Sequence, residues 1–123
     1  MHTLVRFLGE EERPDVLIQM GQELNRVIPE MFSGLDRGVP GRFSCSLSSA
    51  DDWFDHRNTI LDFVRRSGEV LRKAKALDVI VRFDVVVRAD DYSDSTYTCF
   101  LIDKEVIAAL APFDGEIEFS LCE

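Results

Sequence analysis

The sequence predicts an α+β fold: one two-layer domain, residues 1–123, with a mainly antiparallel five-stranded sheet and a long helix packed on one face, in the order β-α-β-α-β-β-α-β. Three observations predict it. From Leu77 to Arg88 the odd positions 79 to 87 are all Val or Phe, while the even ones carry Asp78, Arg82, Asp84 and Arg88, broken only by Ile80 and Val86. Period-2 alternation in β-favouring residues is the mark of a long central strand with one buried face. Between Ala50 and Leu77 apolar residues recur at helical spacing, long enough for one helix to cross a sheet. And 123 residues, with no linker, internal repeat or low-complexity stretch, suit a single core.

Thr3–Leu8 reads as the first strand, apolar on both faces and therefore interior. Gly9 and Glu10–Arg13 turn the chain. Pro14 and Asp15 open a helix, since a missing N–H costs nothing in the first turn and an acid there complements the dipole. Leu17, Met20, Leu24, Val27 and Met31 form its apolar face, and Pro29 ends or kinks it near Ile28. The stretch 33–42, with Gly34, Gly38, Pro40 and Gly41, is a turn-rich loop; it lacks the Lys-Ser/Thr that a phosphate-binding P-loop requires. Arg42–Ser48 alternates as a second strand with Phe43, Cys45 and Leu47 on one face.

Ser49 followed by Asp52 resembles a capping box. In the helix that follows, Trp53, Ile60, Val64 and Leu71 form a stripe, which Phe54, Leu61, Phe63 and Val70 widen into a broad buried face; Ser67-Gly68 marks a break or a close crossing. Asp51, Asp52 and Asp55 at its start and Arg65, Arg66, Arg72, Lys73 and Lys75 late in it match the helix dipole. After the central strand, Ala89–Ser95 is a polar hairpin connection and Thr96–Ile102 a fourth strand. Asp103 caps a short helix, Lys104–Ala111, with Val106, Ile107 and Leu110 inward. Glu116–Cys122 is a fifth strand, with Ile117, Phe119 and Leu121 buried.

The chain carries 23 acidic and 14 basic residues, a net charge of -9. Such a balance opposes nucleic-acid backbones and anionic membranes and favours encounter with a basic protein. Cys45, Cys99 and Cys122 form no metal-ligand pattern, and with no basic, apolar leader at the N-terminus the chain is expected to be cytoplasmic with free thiols. No motif points to a catalytic residue, a metal or a cofactor. Asp52 and His56, four apart on a helix, with the Arg37/Arg42 loop, are the first suspects for an enzyme or small-ligand site; a lone surface histidine near acids is the plainer reading. Asp90, Asp91 and Asp94 around Tyr92 lack the pattern of a calcium loop and are the expected contact residues for a partner. A self-associating domain pairing through a strand edge, a homodimer, is the third reading.

The capped helix opening with Trp53, the helix-to-strand run, the hairpin, the short helix at Ile102-Asp103-Lys104-Glu105-Val106 and the final strand Glu116–Leu121 together resemble small bacterial domains of unknown function that occur among immunity proteins of polymorphic-toxin and contact-dependent inhibition systems. The likeness spans residues 50–121 and lies in element types, so no catalytic residue is carried over. It implies a cytoplasmic protein that binds and neutralises a cognate basic toxin domain, often a nuclease.

Overall fold

The computed structural model describes residues 1–29, 41–88 and 100–122. Its strands are β1 (His2–Leu8), β2 (Arg42–Ser48), β3 (Ile80–Arg88) and β4 (Glu116–Cys122); its helices are α1 (Pro14–Val27), α2 (Trp53–Ala76) and α3 (Lys104–Leu110), the last running into a 3-10 turn at Ala111–Phe113. The α+β class holds, and the sheet order is β2-β1-β3-β4.

Two parts of the expected sheet are corrected. The described sheet has four strands, not five: Phe100–Ile102, expected to end a strand, belong to no element, and Thr96–Cys99 lie outside the described residues. The sheet is also mixed. β1 runs antiparallel to β2 and β3, but β3 and β4 are parallel, with Phe83 opposite Ile117 and Val85 opposite Phe119. Parallel neighbours require a crossover, and α3 lies on it. A polar stretch after β3 suits the start of a crossover as well as a hairpin tip, so residue type there does not distinguish the two.

Alternation along β3 decides which side is the core. Val81, Phe83, Val85 and Val87 are buried, joined by Val5 and Phe7 of β1 and Phe43 and Cys45 of β2. Leu17, Met20 and Leu24 of α1 and Ile60, Phe63 and Leu71 of α2 cover them, with Phe63 edge-on to Phe83 at 6.0 Å. Each such side chain contributes about 1.5–3 kcal/mol on burial. The opposite sheet face mixes Leu4, Leu8, Ile80 and Val86 with charged and hydroxyl side chains. Arg6 and Ser120 donate to opposite oxygens of Asp84 at 3.3 and 2.8 Å, and Arg82 meets Glu116 at 2.9 Å and Glu118 at 3.6 Å. Asp84 is only 7% exposed, so these two donors replace the water it has lost.

The cap of α2 also differs from expectation. Asp52, not Ser49, is the N-cap: its carboxylate accepts from the Phe54 N–H at 3.2 Å. At Ser67 the backbone leaves helical geometry, and Ser67 Oγ donates to the Phe63 carbonyl at 2.5 Å. Such a back-bond competes with the helical ladder and bends the helix. α2 ends with Asp78 left-handed (φ 59°), the Val79 N–H reaching the Ala74 carbonyl and the Asp78 N–H reaching that of Lys75, the Schellman pattern in which Gly is the usual left-handed residue. Where β1 turns away, the Gly9 N–H donates to the Gly41 carbonyl at 2.8 Å; Gly41 has φ 80°, and a Cβ there would lie 2.8 Å from the Gly9 oxygen. Cys45 is buried and Cys122 exposed, neither in a disulfide.

Candidate functional site

The burial phase of α2 sets out the site. Trp53, His56, Ile60, Phe63, Ser67, Val70, Leu71 and Ala74 face the core. Phe54 is one residue off that stripe, about 100° around the helix, and 58% exposed. The Arg57 guanidinium sits 5.7 Å from its ring centroid. Arg57 also donates to Asp103 at 2.9 Å and Glu105 at 2.6 Å, tying the start of α2 to that of α3. The Glu105 carboxylate raises the Arg57 pKa above its ordinary value, against the opposing effect of burial. The Val106 N–H, reinforced by Arg57, lowers that of Asp103.

Beside Phe54 is an aromatic cluster. Trp53 meets Phe119 edge-on at 5.4 Å and Phe100 at 5.9 Å, and Phe100 lies 5.0 Å from Phe119. The Trp53 indole N–H donates to the Leu101 carbonyl at 3.1 Å, which fixes the ring. Around this cluster Leu101 is 64% exposed, Phe119 36% and Leu121 74%. Asp51, Asp52 and Asp55 are exposed at the start of α2, and Glu105 is exposed on α3. The arrangement is a set of apolar side chains on a rigid base with an acidic rim, which is the anatomy of a protein contact.

The suspected acid–base pair is not assembled. His56 is not on the surface but fully buried, its Nδ1 2.7 Å from Thr3 Oγ1 and its Nε2 2.6 Å from the Ala50 carbonyl. A carbonyl only accepts, so Nε2 donates to it, and Nδ1 shares a hydrogen bond with the Thr3 hydroxyl. Both ring nitrogens are occupied inside the core, where His56 joins β1, the Ala50 turn and α2. The Asp52 carboxylate is engaged at the helix cap. Arg42 opens β2 opposite Leu8, and Arg37 lies outside the described residues. So do Asp90, Asp91, Tyr92 and Asp94, the expected contact residues.

Phe54, Phe119 and Leu121 were expected inside, as was Ile107, which is also exposed. Counting His56 and Ser67 as core positions completes a 3–4 stripe from Trp53 to Ala74 and excludes Phe54; that was the available signal. For Leu121 there was none, because alternation does not tell a central strand from an edge. Among the described residues no group of three His, Cys, Asp or Glu is placed to hold a metal ion, and no helix is long and apolar enough to cross a membrane. No protein-family model matches the chain, and no curated protein or solved structure matches it.

Proposed function

We propose that this chain is a protein-binding module for a basic partner, of the kind an immunity protein makes with a toxin domain in the cytoplasm. The observation that carries the reading is the exposed apolar set Phe54, Leu101, Phe119 and Leu121 set among Asp51, Asp52, Asp55 and Glu105. The apolar side chains supply the desolvated centre of a contact, and the acids steer a cationic surface toward it. Phe100, seated on Trp53, directly follows in sequence the segment that holds Asp90, Asp91, Tyr92 and Asp94, so these residues belong to the same proposal.

The test is binding to the toxin-like product of the neighbouring gene, followed at low and high salt. Phe54→Ser should weaken binding by about tenfold or more, mainly through faster dissociation. Changing Asp51 and Asp55 to Asn, or Asp90, Asp91 and Asp94 to Asn, should slow association and flatten its salt dependence. Wild-type rates in all three variants would refute the reading. Self-association is the second reading, favoured because β4 is an edge of the described sheet and presents Phe119 and Leu121. Sedimentation equilibrium separates the two: a dimer dissociated by Leu121→Asp supports self-association, and a monomer excludes it.

A further inference from the structure

A second surface has the opposite character. Where α1 ends against the bend of α2, a groove of about 320 Å³ is lined by Arg26, Arg65, Arg66, Arg72 and Lys73. Five cations in one groove are a marked concentration in a chain with a net charge of -9. Glu23 and Glu69 are the acids of its lining. Glu23 pairs with Lys73 at 3.1 Å, and Asp62, just outside, pairs with Arg65 and lies 4.0 Å from Arg66. Among the described residues these five cations face three acids, Glu23, Glu69 and Asp62, and Arg26 and Arg72 make no ion pair with a described residue.

The fold fixes the backbone beneath this charge. The bend at Ser67 is locked by the bond to the Phe63 carbonyl, and Ser67 itself is buried. The Arg72 guanidinium lies beside the bend, its Nη1 3.5 Å from where a Cβ on Gly68 would stand, an ordinary contact distance. Among the described residues lining the groove none is aromatic, and its apolar members are Val27 and Val70. A nucleoside base would find no ring to stack on, and a peptide no set of exposed anchors like that around Trp53. Guanidinium forks match the oxygen geometry of phosphate. We infer that this groove binds a compact, multiply charged phosphate, recognised by Arg26 and Arg72 through its oxygens alone.

The probe is inorganic pyrophosphate, titrated into the full chain by calorimetry at low salt, with ATP as a parallel arm. Saturable binding that weakens as salt rises is expected, as are amide shifts confined to the end of α1 and residues 65–73. Arg26→Gln with Arg72→Gln, both exposed and outside the core, should weaken binding by about tenfold or more. Changing Asp51 and Asp55 to Asn should leave it unchanged. ATP should bind about as tightly as pyrophosphate; ATP binding more than about tenfold tighter would overturn recognition through the phosphate oxygens alone. No heat and no shifts in the wild type, or equal affinity in the double variant, would overturn the site.

Discussion

The first turn of α2 and its bend at Ser67 belong to one helix and one buried stripe, yet their outer surfaces are opposites. The first turn presents acids together with exposed Phe54 and the Trp53 cluster; the bend presents Arg65, Arg66, Arg72 and Lys73 around a groove with no aromatic side chain among its described lining residues. The inner face of a helix is dictated by the core, and the outer face is constrained only weakly by the dipole. Charge and apolar surface can therefore be distributed independently along it. An acidic rim around apolar anchors suits a protein contact, and a basic groove without anchors suits a small anion.

If one core supports both regions, Phe83→Ala should remove both together. Phe83 is fully buried under Phe63, and its truncation should cost about 3–5 kcal/mol, a large part of a total near 5–15 kcal/mol. In urea, fluorescence of the single tryptophan, Trp53, and the amide signals of residues 65–73 should report one coincident transition. Two separate transitions would break the comparison, because the ends would then be independent units.

Gly115→Ala should strain the far end of α3, where Asp114 meets Lys75 at 3.4 Å near the end of α2. A Cβ at Gly115 would lie 2.5 Å from the buried ring of Phe113 and 3.1 Å from Leu110. Overpacking of this kind costs about 1–3 kcal/mol, and here it falls on the join between α3 and β4. Denaturant midpoints should fall while pyrophosphate affinity at the groove, measured under native conditions, stays at its wild-type value; a parallel loss at the groove would show that strain at this join reaches the bend of α2.

The bend offers the reverse change. Gly68→Ala places a methyl in ordinary contact with Arg72, and replacing a helical glycine should stabilise the protein by about 0.4–1 kcal/mol through the unfolded state. A drop in melting temperature would mean that the bend needs the freedom of glycine. The smallest effect on stability is expected from Phe54→Ser, within about 0.5 kcal/mol, since its ring is mostly in solvent. A larger loss would place Phe54 in the fold rather than at a contact.

Much of the fold was legible because periodicity reports burial directly. The alternation of Val79 to Val87 located β3 and its inner face, the stripe from Trp53 to Leu71 located α2, and Ser67-Gly68 marked its bend. Pro14 with Asp15 located the start of α1, and Asp103 the start of α3. The site was less legible. Phe54 looked like a member of the buried face, and His56 looked like a surface group beside acids, when their positions are the reverse. Residue type misled in both cases: an aromatic ring can stand at a surface for contact, and an imidazole can be buried when Thr3 and a carbonyl meet both nitrogens.

By itself the sequence determined the α+β class, the order of the three helices and the four described strands, the inner face of β3 and α2 and the acidic balance of the whole chain, because these depend on neighbours three, four or two residues away and on composition. Only the tertiary structure decided that β4 runs parallel beside β3, that Arg26 joins Arg65 and Arg72 across two helices, and that Leu101 and Leu121 stand exposed around Trp53. Each of these is a pairing between distant parts of the chain. The direction of a crossover and the edge position of a strand are set by how whole elements cover one another's apolar faces, a condition that no local pattern of residues expresses.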